Sequence, residues 1–170
     1  LSTPDSVLDK STKLHLMQDG IETINVRFAA LKQQKRAELY EAIISNASAR
    51  ESLQAAFDSE IEILEDHRLF ITTANKGGEF MAPEAKIRVR EIAALQWLDA
   101  NGKSQPMLTE AEIYNLCIER GTLTSEERSA INNHMSVTIN MLESLPFPKK
   151  LRRVPEYAGG HHEKMDGSGF

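Results

Sequence analysis

The sequence predicts an all-α fold, and three observations carry that expectation. Aromatic residues make up only 6% of the 170, while Leu, Ala, Ile, Glu and Lys are plentiful, a bias toward helix formers. Apolar residues recur at helical spacing through several long stretches. No segment alternates apolar and polar side chains convincingly enough to read as a strand. At 41% hydrophobic and 26% charged, the chain can bury a core of its own.

Taken in order, residues 1–10 read as a loop leading into a short helix, with Pro4 or Asp5 near its start. After Gly20 a helix carries Ile21, Ile24, Phe28, Leu31, Leu39, Ala42 and Ile43 on one side. Lys32, Lys35, Arg36 and Glu38 make its solvated face. A second helix, from about Arg50 to Thr72, presents Leu53, Phe57, Ile61 and Leu64, so the two suggest a long antiparallel hairpin. Asn75-Lys-Gly-Gly-Glu is a turn. Pro83 suits the first position of a helix to about Leu98, which Asp99-Ala-Asn-Gly-Lys then breaks.

Two capping-box patterns follow, Thr109 with Glu112 and Thr124 with Glu127. The helix after Thr124 places Ile131, His134, Met135, Thr138, Met141 and Leu142 on one face, and Pro146 and Pro148 end it. Pro155 starts a further helix whose expected inner face is Val154, Tyr157, Ala158, His161 and His162. Leu1 and Phe170 both read as cuts through a longer protein.

Charge and composition narrow the function. The formal net charge of −5 argues against a binder of nucleic-acid polymers, which normally carries a basic surplus. No apolar run approaches the ~20 residues needed to span a bilayer, so no membrane insertion is expected in this segment. The single cysteine, Cys117, cannot form an intrachain disulfide and reads as a small packing residue. A cytoplasmic location is expected, compatible with the cytoplasmic part of a membrane-bound sensor.

Three histidines fall on apolar helical positions: His134, His161 and His162. Imidazoles held on facing helices can begin a site for a transition metal. Spacing alone leaves open whether they do so or are hydrogen-bonded core or surface histidines. The expectation to test is that the three converge on two packed helices. A basic cluster of Lys149, Lys150, Arg152, Arg153 and Lys164 suits an anionic substrate beside such a site, or a solvated helix start. Asp166 begins a Gly-rich turn and reads as a turn residue. His15 and His67 read as structural or exposed.

The stretch His161-His-Glu-Lys-Met-Asp-Gly-Ser-Gly-Phe170 resembles the HD-GYP signature HHE(R/K)xDGxGYP, with Phe170 in place of the usual Tyr. Upstream, Gly121-Thr-Leu-Thr-Ser-Glu-Glu-Arg followed by Ile131-Asn-Asn-His134 resembles the same family's G-x-L-T-x-E-E…H segment. Pro4, Leu8 and Lys10 fit the stretch that follows the family's HD motif. The resemblance implies a helical bundle of HD-domain type in three parts. Residues 1–10 follow a missing HD motif, 11–120 form an inserted helical hairpin or lobe, and 121–170 form the C-terminal part of the core.

It also implies a bacterial signalling phosphodiesterase that hydrolyses cyclic di-GMP with iron or manganese. His134, His161 and His162 would be metal ligands. Lys164, Gly167, Gly169 and Phe170 would shape the substrate mouth, with Arg153 as a further anion contact. The family's carboxylate ligands lie outside the 170 residues, so the metal site is expected to be incomplete and the isolated chain nearly inactive. The implied partners are a cyclic dinucleotide, an upstream sensory domain and a second copy of the chain. A degenerate domain that binds nucleotide or protein and signals without hydrolysis is the alternative.

Overall fold

A computed structural model describes residues 4–17, 20–78 and 80–159, with the side chains of His134 and Met135 outside the description. The fold is all-α apart from one small hairpin. Its elements are α1 (Asp5–Leu8), α2 (Gly20–Ser45), α3 (Arg50–Asn75), α4 (Pro83–Ala93), β1 (Gln96–Leu98), β2 (Ser104–Pro106), α5 (Glu110–Leu116), α6 (Ser125–Glu143) and α7 (Val154–Gly159). Short 3-10 turns occupy Ala47–Ala49 and Lys149–Leu151. The chain divides into two compact units: a lobe, Lys10–Leu123, and a discontinuous unit, Leu1–Asp9 with Thr124–Phe170.

In the lobe, α2 and α3 pair as an antiparallel hairpin. Arg68 reaches Asn25, Lys32 reaches Glu65 and Lys35 reaches Glu60, so residue numbers fall on one helix as they rise on the other. The apolar stripe of α2 buries Ile24, Phe28, Leu31 and Leu39, and α3 contributes Leu64 and Ile71. Val89 and Ile92 of α4, with Met107, Leu108 and Leu116, close the same core. Burying each such side chain is worth roughly 1.5–3 kcal/mol, and that burial holds the lobe together.

The helix expected over residues 83–98 ends at Ala93, and residues 96–98 form a strand. β1 pairs antiparallel with β2, Trp97 opposite Gln105. The turn chemistry after Leu98 does more than stop a helix. The Asp99 carboxylate accepts the amides of Asn101 and Lys103, both at 2.9 Å, and Gly102 takes φ +74°. The chain thus folds straight back, and the Met107 amide donates to the Leu95 carbonyl at 2.7 Å. The amide of Lys103, then the Gln105 side chain, hold the Asp99 carboxyl below its ordinary value. Strands of three residues are too short to show alternation, which is why they escaped pattern reading.

Both capping boxes form. At α5, the Glu112 carboxylate accepts the Thr109 amide at 2.7 Å while Thr109 Oγ1 accepts the Glu112 amide. Glu112 also takes a hydrogen bond from Arg27 at 2.7 Å, in a pair that is almost wholly buried. One carboxylate therefore starts α5 and ties it to α2.

The segments that lead into and out of the lobe are laced together. Thr122 Oγ1 donates to the Lys10 carbonyl at 3.1 Å, and the Gly121 amide donates to the Gly78 carbonyl at 3.0 Å. Asn75, buried at the end of α3, accepts the Leu14 amide on its side chain and the Lys13 amide on its carbonyl. Gly77 sits at this crossing with φ +74°, and a Cβ there would stand 3.0 Å from the Gly121 carbonyl oxygen. Only glycine fits such an approach without strain.

Candidate functional site

The candidate chemistry lies in the discontinuous unit. Thr124 fixes the start of α6: its Oγ1 accepts the Glu127 amide at 3.2 Å, and the Glu127 carboxylate accepts the Thr124 amide at 2.8 Å. With its first turn set, the phase of the 19-residue helix is set, and His134 falls near its middle. Within the same unit α6 packs against α1 and α7. Helix α7 runs to Gly159, and the chain continues directly into His161 and His162.

His161, His162, Lys164, Gly167, Gly169 and Phe170 lie outside the described residues, as does the His134 side chain. The expected convergence of the three imidazoles lies outside them too. Among the described residues no three His, Cys, Asp or Glu side chains gather where they could hold a metal ion. Of the expected histidine set, the described residues supply the backbone position of His134 on α6. Imidazole is a ligand that iron, manganese and zinc all accept.

Arg153 is the one expected substrate contact whose side chain is described. Its Nε and Nη2 donate to the two Glu156 oxygens, both at 2.8 Å, and its guanidinium lies 4.8 Å from the Tyr157 ring centroid. Glu156 raises the Arg153 pKa, and Arg153 holds the Glu156 carboxyl below its ordinary value. An arriving anion would share the guanidinium with Glu156, meeting the N–H donors that this fork does not use. The competitor was visible in sequence as a carboxylate three residues on.

Tyr157, expected on an inner face, is instead exposed, as is Met141 of α6. Tyr157 serves as the platform for Arg153, which keeps its ring outward. Val154 and Ala158 are half-buried. Lys149, Lys150 and Arg152 are exposed.

The remaining singled-out residues lie in the lobe. His15 is exposed and hydrogen-bonds Ser11 at 3.1 Å. His67 is half-buried in mid-α3 because that helix continues to Asn75, and burial, then Arg88, lower its pKa. Burial pushes the Cys117 thiol up, away from the thiolate that a nucleophile needs. Lys13, which carried no sequence signal, is almost wholly buried. No helix of the described residues is long and apolar enough to cross a membrane.

A family model described as HD domain matches residues 107–170. The matched span runs from the end of β2 through α5, α6 and α7 and takes in all three histidines. It supports an HD-domain phosphohydrolase family for this part of the chain and suggests metal-dependent phosphohydrolase activity. The span overlaps the lobe at residues 107–123, so α5 belongs to both. Comparison with curated proteins gives no significant match, and neither does comparison with solved structures.

Proposed function

We infer that the chain is part of a bacterial signalling phosphodiesterase that hydrolyses cyclic di-GMP with divalent metal ions, iron or manganese. The observation that carries this reading is the HD-domain match over residues 107–170, which contains His134, His161 and His162 together. The packing of α6 against α7 supports it, since those helices carry His134 and lead into His161. Residues 11–120 are then an insertion between two parts of one core, consistent with the hydrogen bond that laces Thr122 to Lys10 across its ends.

In this reading His134, His161 and His162 are metal ligands, the first carried on α6. Bound there, divalent ions would polarise a phosphoryl oxygen and lower the pKa of a water toward neutrality. Lys164 and Arg153 balance phosphate charge, Arg153 through the donors that its fork to Glu156 leaves over. Gly167, Gly169 and Phe170 shape the mouth.

The test is turnover of cyclic di-GMP with added Mn2+ or Fe2+, by a polypeptide containing this chain and flanking sequence, with and without His161→Ala. The reading requires metal-dependent cleavage that the substitution abolishes. Turnover indifferent to His161→Ala would contradict the ligand assignment. Saturable nucleotide binding without cleavage in metal-loaded protein would favour the non-catalytic signalling module.

A further inference from the structure

Lys13 is 3% exposed, and its Nζ donates to the carbonyls of Leu116 at 2.7 Å and Ile118 at 2.9 Å. These are carbonyls at the end of α5, where a cation suits the helix dipole. An ammonium has three protons, and the third meets only Met81 Sδ at 3.5 Å, a weak acceptor. Among the described residues no carboxylate pairs with Lys13. Burial pulls its pKa down, and Lys86 adds to that effect against the opposing Cys117.

Lys13 lines a cleft of about 330 Å³ whose walls include Phe70, Phe80, Met81 and Ala85. The carboxylate at the rim, Glu119, is already bonded to Lys86. Of the described residues lining the cleft only Lys13 and Glu119 carry charge, and Glu119 is neutralised by Lys86 outside the lining, which leaves the Lys13 ammonium uncompensated. The remainder is apolar, and Phe80 stands exposed beside it.

We propose that this cleft binds a small monocarboxylic acid with an apolar or aromatic body, its carboxylate accepting the third proton of Lys13 and its body lying against Phe70 and Phe80. A single ammonium with apolar walls matches one negative charge on an apolar body. A phosphate dianion would need more donors than the cleft supplies. The site lies where the chain enters and leaves the lobe, since the Met81 amide donates to the Glu119 carbonyl at 2.9 Å and the Lys13 amide to that of Asn75. An occupant would bridge the two segments. This inference is independent of the metal assignment.

The test uses the 170-residue chain with ¹³C-labelled methionine methyls, titrated with benzoate, benzyl alcohol and inorganic phosphate. A saturable shift of the Met81 methyl by benzoate is expected. Benzyl alcohol should bind about tenfold more weakly and phosphate should leave Met81 unmoved, because a hydrogen bond to a charged group is at stake. Lys13→Met should weaken benzoate about tenfold while leaving benzyl alcohol unchanged. Ala85→Phe keeps Lys13 and fills the cleft. It should abolish the benzoate shift with Trp97 fluorescence preserved, which separates ligand loss from misfolding. Absence of a saturable shift in the unaltered chain would overturn the proposal, as would equal benzoate affinity in either variant.

Discussion

The lobe and the discontinuous unit are built on different terms. Among the described residues every buried hydrophobic side chain belongs to Lys10–Leu123. In the other unit α6 is held by a capping box and by its contacts with α1 and α7, while Val137, Met141, Leu145, Leu151 and Tyr157 remain exposed. The lobe carries its own stabilisation through a shared apolar core. The unit with the candidate chemistry depends more on local hydrogen bonds and, under the proposed metal assignment, is the one whose stability a bound ion would change.

The largest expected effect comes from the lobe core. Phe28 is fully buried, so Phe28→Ala should cost about 3–5 kcal/mol. Val137→Ala, at an exposed site on α6, should stay within about 0.5 kcal/mol. The single tryptophan, Trp97, packs against the lobe core, so urea unfolding followed by its fluorescence reads the lobe. Comparable shifts from the two substitutions would erase the distinction between the regions.

A middle-sized effect should appear at the start of α6. Thr124→Ala removes the acceptor for the Glu127 amide and should cost about 1 kcal/mol. The loss should show as faster amide exchange across Ser125–Glu143, with the Trp97 transition unmoved. Movement of that transition would mean the two units unfold together.

The smallest effect belongs to the hairpin surface. Arg68 first, then Lys32, lower the Glu65 pKa from 4.5 to about 2. A depressed carboxylate contributes stability above its unfolded pKa and loses it as pH falls. The contribution should therefore be complete above about pH 4.5 and fade toward pH 2. Glu65 is more than a third exposed, so screening keeps the effect to roughly 0.2–1 kcal/mol. Urea midpoints of the parent and of Glu65→Gln should differ at pH 6 and converge toward pH 2.

Much of the architecture was legible because it follows local rules. Apolar spacing located α2 and α3, and a four-residue pattern located each capping box. The β hairpin was not legible, since three-residue strands offer no periodicity and Asp99-Ala-Asn-Gly-Lys serves equally as a helix stop. Nor was Lys13, whose burial depends on carbonyls more than a hundred positions away. For the candidate site, helical spacing and motif order nominated the histidines, and charge clustering nominated the basic residues. Clustering did not show that Glu156 occupies Arg153, because pairing with a neighbour is decided by geometry, and Tyr157 turned outward for the same reason.

The central claim, that His134, His161 and His162 form a metal site, is tested most directly by hydrogen exchange of the chain with and without Mn2+. Added Mn2+ should slow exchange in α6 and in the segment from α7 through residue 162. Exchange in α2, α3 and α4 should stay as it was, and His134→Ala should remove the protection. Unchanged exchange in α6, or protection that persists when all three histidines are replaced by alanine, would contradict the account.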